Sequence, residues 1–435
     1  MRILLTTIGS AGDVHPFVAV GLALKARGHE VTLLTNPYFK ERIVGAGIGF
    51  WPLGTAEEYL RLIRMADLVN AGASPMFVFD NLIAPSFAPT LEAVRTLMPV
   101  VRPEVIVSHH ISFGAHAAAE LLGIPYVQCV LSPLFWFSRE ERIALPSLPW
   151  PDAPRVVDRM LRRVARFMAR VRLDPVINRL RRGAGLPPIK NIIFSLARGH
   201  DGILPGERLG DGSRGVPTLG MWSPHYRPAM GDDPRTGRIC GFATFDRPAT
   251  SGEQLDAERE LVGWMERGPE PVLVTLGSSV SHHGKAFYRL AAQACARAGR
   301  RGVMLTGGSE ALGDLPEEIR AVEYAPYSRV MARAAVVVHH AGIGTLAAVL
   351  RSGRPGIIVP FANDEFDNAA RAGRLGVSVT LARRRLSVAS LAEAIKRATT
   401  EAGLIERSRR LGEAMREEDG AAVAAGHIER VGRGG

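Results

Sequence analysis

Two short stretches of this 435-residue chain combine residue types that can do chemistry. The first is His339-His340-Ala341-Gly342-Ile343-Gly344-Thr345. The apolar run Ala334–Val338 leads into it and the helix formers Leu346–Leu350 leave it. A strand–turn–helix junction of this kind presents unpaired backbone N–H groups and the positive end of the helix dipole, which together hold an anion. Gly342 and Gly344 let the backbone come close to a ligand. Thr345 adds a hydroxyl in the first turn, and His340 can donate to a phosphate oxygen. Gly342 to Ala347 also spells GxGxxA, but here it follows the fourth strand of its series, whereas an NAD fingerprint follows the first. A tight turn that binds nothing is the plainer alternative.

The second stretch is Gly9-Ser10-Ala11-Gly12-Asp13-Val14-His15. It follows the first apolar run, so Asp13 lies at the mouth of a sheet, where a carboxylate can take a proton. His15 is the rival base, since an imidazole ordinarily titrates near neutrality. A helix N-cap is the plainer job for Asp13. Three further groups fall at strand ends. Leu276-Gly277-Ser278 is another glycine turn with a hydroxyl. Asp364 and Glu365, in Pro360–Asn368, are short acceptors suited to sugar hydroxyls or to capping a helix. His109 and His110 follow the run Val105–Val107 and line an acceptor pocket, orient the base, or are plain polar surface.

The elements that must position these groups alternate. Strand signals at Arg2–Thr7, Glu30–Thr35, Val105–Val107 and Tyr126–Val130 are separated by helical stretches. A second series has strands at Val272–Gly277, Gly302–Gly307, Val322–Ala325, Ala335–His340 and Gly356–Pro360. Such alternation predicts βαβ units around parallel sheets, an α/β fold of two Rossmann-like domains facing each other across a cleft. The expected boundaries are residues 1–225, a Gly/Pro/Asp-rich linker at 226–250, and residues 251–435, with the last helix packing back on the first domain.

Composition narrows the classes. Apolar residues make up 46% and charged residues 22%, ordinary for a globular protein. No run reaches the roughly 18–20 apolar residues of a membrane span. The apolar start is too short for a signal peptide, and three scattered cysteines without a CxxC fit a reducing cytosol. The formal charge of +11 suits anionic partners, but no nucleic-acid motif accompanies it, so nucleic acid is excluded as a partner. Asp232-Asp233 reads as a solvated turn and no DxD triplet is present, so neither a metal nor a cofactor is expected.

Taken in order, Val-Thr-Leu-Gly-Ser (274–278), Tyr324-Ala325-Pro326, His339–Thr345 and Pro360…Asp364-Glu365…Asp367-Asn368 resemble the UDP-glycosyltransferase-like family of GT-B fold. Gly9–Phe17 resembles the opening loop of its bacterial branch, which includes antibiotic, sterol and rhamnolipid glycosyltransferases. The resemblance spans nearly the whole chain. It implies that His340, Gly342, Gly344 and Thr345 bind the donor diphosphate, with Gly277 and Ser278 at the same phosphates. It further implies Tyr324 and Ala325 against the nucleobase, Asp364 and Glu365 on the donor sugar, and Asp13 as the base. Members often carry Asp-Gln where this chain has Asp364-Glu365, and plant members carry a ribose-binding Glu where it has Ala348.

The implied reaction is inverting, metal-independent transfer of a hexose or deoxyhexose from a UDP- or dTDP-sugar to a hydroxyl of a hydrophobic acceptor. Asp13 is favoured over His15 on resemblance as well as placement. Phe135, in Leu134–Phe137, lines the acceptor side, or is core. The rivals are a nucleotide-sugar epimerase of the same fold, an NAD-dependent oxidoreductase, and a non-catalytic binding subunit. Arg155–Arg172 has Val157, Met160, Leu161, Val164, Phe167, Met168 and Val171 at helical spacing, among Arg159, Arg162, Arg163, Arg166 and Arg170. The first expectation is a helix packed on the N-terminal domain with a charged outer face. The alternative is peripheral contact with anionic lipid.

Overall fold

The apolar runs pair as parallel strands in two separate sheets. The structure is a computed structural model that describes residues 1–68, 75–144, 155–192, 215–247, 251–277, 284–307 and 312–434. The chain divides into two compact units. Unit 1 comprises Met1–Leu62, Ala73–Ala243 and Asp419–Gly435, and unit 2 comprises Ile63–Gly72 and Thr244–Glu418.

Among the described residues unit 1 holds seven strands: β1 (Arg2–Thr6), β2 (Glu30–Thr35), β3 (Gly49–Pro52), β4 (Val105–His109), β5 (Tyr126–Val130), β6 (Thr218–Gly220) and β7 (Gly237–Ile239). Their order is β3-β2-β1-β4-β5-β6-β7. Ile3, Leu4, Leu5, Val105, Ile106 and Val107 are fully buried. Helices on both faces explain why these strands are continuous apolar runs rather than alternating ones. The chain builds outward from β1 to β3, then returns to place β4 on the other side of β1. Leu5 therefore pairs with Leu33 on one side and Val107 on the other. The division between the units, at Ala243 and Thr244, falls inside the stretch expected as linker, yet Gly237–Ile239 within that stretch is a strand paired with β6.

Unit 2 repeats the plan with β8 (Val272–Thr275), β9 (Gly302–Leu305), β10 (Ile319–Val322), β11 (Val336–His339), β12 (Gly356–Ile358) and β13 (Ser378–Thr380). The order is β10-β9-β8-β11-β12-β13, so growth reverses between β8 and β11. The strand expected at Val322–Ala325 lies earlier, at Ile319–Val322, leaving Tyr324 and Ala325 in the loop beyond it. Val272, Val274, Val336, Val338 and Ile357 pack with Tyr288, Leu391 and Ile395 in the core.

Two expectations are overturned. Asp232 and Asp233 are not a solvated turn. Asp232 accepts from Ser138 Oγ and Arg139 N, both at 2.6 Å, and Asp233 is paired with the fully buried Arg227, which also meets Glu141 at 2.8 Å. A buried guanidinium requires such partners, so the acids are recruited to tie residues 138–141 to residues 227–233. Nor does the apolar side of Arg155–Gly183 pack inward at its start: Met160, Val164, Phe167, Met168 and Val171 are exposed.

The terminal helix Gly420–Gly432 packs on Ala11–Ala26 within unit 1. Glu429 fastens it, receiving Arg27 Nη2 and His29 Nε2 at 2.6 Å each, while His29 Nδ1 lies 3.2 Å from the Met1 amine. These hydrogen bonds hold the Glu429 carboxyl down at about 2. An unfolded Glu titrates near about 4.3, so the contribution of this staple is complete above that pH and is lost as the pH falls toward 2. Glu429→Gln should lower the melting temperature at neutral pH and lose less stability than the wild type between about pH 4.3 and 2. Acid titration of both proteins followed by circular dichroism checks this; parallel curves would refute the staple.

Candidate active site

Both reversals of sheet growth leave a crevice at the carboxyl ends of adjacent strands, where loops depart to opposite faces. In unit 1 the crevice lies between β1 and β4. The loop after β1 turns at Gly9, whose φ of +120° suits glycine, and a Cβ there would fall on the Asp13 carboxylate. Ser10 caps the helix Ala11–Ala26, and Asp13 is its third residue rather than the cap. Asp13 Oδ2 accepts from Ser10 N at 2.7 Å and Ser10 Oγ at 3.1 Å, closing a capping box. Asp13 Oδ1 lies 3.8 Å from His109 Nε2, and the Asp13 side chain keeps 29% of its surface exposed. So Asp13 both caps and faces the crevice. His15 is half-buried two residues further along the same helix.

His109 ends β4, and His110 follows it. Both are buried, and burial drives the His109 imidazole well below its usual range and His110 down to about 3, so both rings are neutral at physiological pH. Their ring centroids stand 4.5 Å apart, and the His110 ring lies tilted against Phe135 at 4.3 Å. Neither nitrogen of His110 has a hydrogen-bond partner among the described residues. An imidazole left this way is suited to a polar group brought by a ligand. Phe135 and Phe137 are half-buried, whereas Leu134, Trp136 and Phe79 belong to the core.

In unit 2 the crevice lies between β8 and β11. Thr275 is register partner of His339, which sets Leu276-Gly277 beside His340-Ala341. Gly277 has φ +62°, and a Cβ on it would come 2.7 Å from His340 Cε1 and 3.3 Å from Thr345 Oγ1. These three residues therefore converge. Gly342 is the N-cap of the Ile343–Ser352 helix and offers no side chain to cap it; a Cβ there would strike the His340 ring. Gly344 is exposed in the first turn. Among the described residues no side chain caps this helix N-terminus, which suits it to an anion. Burial lowers His340 to about 4, so it stands as a neutral imidazole able to donate one N–H. His339 is spent locally: its Nδ1 accepts from Ala341 N at 3.2 Å. Ser278 lies outside the described residues.

Ala341 itself has φ +73°, a conformation that costs a non-glycine residue about 1 kcal/mol. It is fixed from outside. The fully buried Asn368 donates from Nδ2 to Ala341 O and to Asp364 Oδ2, both at 3.0 Å. Asn368 thereby ties the glycine turn to the start of the Glu365–Arg374 helix. Asp364 occupies the N-cap position of that helix without making a side-chain cap bond. Glu365 differs from the expected sugar ligand. It is 6% exposed and its Oε2 accepts from Phe361 N at 2.6 Å and Ala362 N at 2.9 Å, so it shapes its own loop. Burial pushes its carboxyl up to about 8.

Tyr324 and Ala325 separate. Ala325 is 1% exposed, in the core with Leu273 and Val337, so its side chain cannot lie against a base. Tyr324 is partly exposed, its ring covered by the Arg247 guanidinium at 4.2 Å and its hydroxyl bonded to Arg247 N at 3.0 Å. Asp246 accepts from Tyr327 N and Ser328 N, and the Tyr327 hydroxyl meets Thr275 Oγ1 at 3.0 Å beneath the glycine turn. Sequence reasoning singled out neither Asn368, Tyr327, Asp246 nor Arg247 as functional. Asn368 alone of these carried a signal, its place in the Pro360…Asp364-Glu365…Asp367-Asn368 pattern.

Two measurements follow from this geometry. Gly277→Ala places a methyl against His340 in a left-handed conformation, so it should destabilise unit 2 by roughly 1–2 kcal/mol and weaken anion binding at least tenfold. Thermal melts and phosphate-ligand titration read both effects; wild-type affinity would show that Gly277 does not lie at the site. Glu365 keeps its proton in the folded state up to about 8, while the unfolded chain releases it near about 4.3. Stability should therefore fall as the pH rises between those values. Glu365→Gln should melt higher than the wild type at pH 8 and converge with it near pH 4. A constant gap across that range would contradict the assignment.

Comparison with known proteins bears on what these crevices hold. Residues 3–128 match the glycosyltransferase family 28 N-terminal domain, and residues 303–429 match the erythromycin biosynthesis protein CIII-like C-terminal domain. The chain is 31% identical to O-mycaminosyltylonolide 6-deoxyallosyltransferase of Streptomyces fradiae, over 99% of this chain and 97% of that protein. It is 26% identical to a sterol 3-beta-glucosyltransferase of Arabidopsis thaliana, over 99% of this chain and 68% of that one. Among solved structures, the spinosyn rhamnosyltransferase SpnG complexed with thymidine diphosphate superposes with a TM-score of 0.65 at 18% identity, covering 99% of this chain and all of that one. The topology of each unit and these relatives agree: the chain belongs to the GT-B glycosyltransferases that join a family 28 N-terminal domain to an erythromycin CIII-like C-terminal domain, and it is a glycosyltransferase.

Proposed function

We propose that this enzyme transfers a hexose or deoxyhexose from a dTDP- or UDP-sugar to a hydroxyl of a hydrophobic small molecule, inverting the anomeric centre without a metal. The observation that carries the reading is the uncapped helix N-terminus at Gly342, with the neutral His340, Thr345 and the Gly277 backbone gathered around it. A nucleoside diphosphate is an anion that such a helix N-terminus can hold. The thymidine diphosphate in the similar rhamnosyltransferase favours dTDP over UDP. The O-mycaminosyltylonolide and sterol acceptors in the names of the relatives, together with Phe135 beside His110, favour an apolar acceptor.

In this reading the acceptor oxygen attacks the anomeric carbon as the bond to the diphosphate breaks. Asp13 Oδ1 takes the hydroxyl proton, while Oδ2 stays in the capping box and holds the carboxylate in place. Inversion follows from a single in-line displacement. The leaving diphosphate gathers charge, and the helix N–H groups with the His340 N–H stabilise it in position, with no reorganisation at the moment of reaction. Asp364, steadied by Asn368, contacts the donor sugar; Glu365 keeps the loop that presents it. His110 offers its ring nitrogens to a polar group of the acceptor. The three free cysteines are all buried, which fits a reducing cytoplasm.

The first test is a thermal-shift screen against dTDP, UDP, GDP and NAD, with and without EDTA. Ligand at about 100 times its Kd stabilises the folded state by roughly 2.7 kcal/mol, a readily measured shift. A shift with dTDP or UDP that survives EDTA is expected; a shift with NAD alone would sink the reading. With a turnover assay in hand, Asp13→Asn should lower kcat by about 10²–10⁴ with donor affinity unchanged. His15→Ala should act less, and the reverse ranking would make His15 the base.

A further inference from the structure

The Arg155–Gly183 helix is anchored over half its length only. In its second half Leu173 and Ile177 are buried, Asp174 accepts from Asn191 N and Ile192 N, and Arg181 pairs with Glu120. In its first half Val156, Met160, Val164, Phe167, Met168 and Val171 are 52–68% exposed. At about 100° per residue these six fall within an arc of roughly 120°, one continuous stripe. Large apolar side chains in such a stripe normally face a core.

The charges say what covers it. Arg155–Arg172 contains seven arginines and a single acid, Asp158. That excess of six is over half of the chain's formal +11. On the same wheel Arg159, Arg163 and Arg170 border one long edge of the stripe and Arg172 borders the other, all exposed. Long guanidinium side chains beside an apolar face reach outward to anions while their stems cover apolar surface. A second copy of this chain would bring an equal positive charge against the first and be repelled. An anionic lipid surface offers both an apolar boundary and negative headgroups.

We propose that the first five turns of this helix lie in the headgroup boundary of an anionic bilayer, with Met160, Val164, Phe167 and Val171 turned into the acyl region and the bordering arginines on lipid phosphates. The anchored second half then holds unit 1 at that surface. This inference does not depend on the transferase reading, because it uses none of the residues placed at either crevice and is tested by binding alone.

The test is flotation of the full chain with vesicles of phosphatidylcholine, and of phosphatidylcholine with about 30% phosphatidylglycerol. Binding to the phosphatidylglycerol vesicles is expected at about 0.05 M salt, with a loss of at least tenfold at about 0.5 M and on neutral vesicles. Met160→Glu with Phe167→Glu should abolish it at an unchanged melting temperature, since both side chains are exposed. Arg163→Glu with Arg170→Glu, which leaves the apolar stripe intact, should abolish it as well. No flotation with phosphatidylglycerol at low salt would overturn the proposal. So would binding indifferent to both double variants, or a dimer in sedimentation velocity that the Met160 and Phe167 substitutions dissociate.

Discussion

An open parallel sheet must reverse its direction of growth if its first strand is to be central, and this constraint organises the molecule. At the reversal two neighbouring strands send their loops to opposite faces, so neither loop can cover the gap between them. In unit 1 the gap receives Asp13 from one side and His109 from the other; in unit 2 it receives Gly277 and His340. No long-range arrangement has to be invented for either pair. The register of β1 with β4, and of β8 with β11, already places the ends of those strands together.

Around each gap the chain must reconcile close backbone approach with rigidity. Glycine provides the approach at Gly9, Gly277 and Gly342, where a Cβ would strike Asp13 in the first case and His340 in the other two. Rigidity comes from buried polar bonds. The capping box holds Asp13, Asn368 holds both Ala341 and Asp364, and Tyr327 braces Thr275 under the turn. A fully buried amide such as Asn368 is costly unless satisfied, and here satisfying it also pins a left-handed alanine. Burial sets the protonation as well: His109, His110, His339 and His340 are all neutral, so they act as single donors or acceptors rather than as fixed cations.

Much of this was legible from the chain. Continuous apolar runs ended by glycine mark strands buried on both faces, and so the two parallel sheets and the loops at their carboxyl ends were readable. Gly342, Gly344 and Thr345 could be placed at a strand–helix turn because an apolar run precedes them and helix formers follow. What the sequence hid were weak elements and shared duties. β3, β6, β7 and β13 are three or four residues long, and β10 lies three residues before the expected strand. Glu365 and Ala325 fell at positions matched by a motif, but a motif records spacing and not the direction a side chain turns. Glu365 turns to its own backbone, and Ala325 into the core. Asp13 was read as either a cap or a base. The capping box uses one carboxylate oxygen and turns the other toward His109, so the two duties do not compete.

The Arg155–Gly183 helix marks the limit of periodicity as a guide. A repeat of three and four residues establishes that one face is apolar; it cannot say whether that face meets the protein or something else. Orientation is decided by what the rest of the chain offers. Here Leu173, Ile177 and the Asp174 and Arg181 bonds fix the rotation of the helix from its second half. The apolar stripe of the first half lies at a different azimuth and is turned outward by that fixed rotation. Packing the stripe inward would require a twist through the anchored turns and the loss of a buried carboxylate's two backbone bonds, each worth roughly 1.5–3 kcal/mol to a charged group. The anchoring bonds win, and the stripe stays exposed among the described residues.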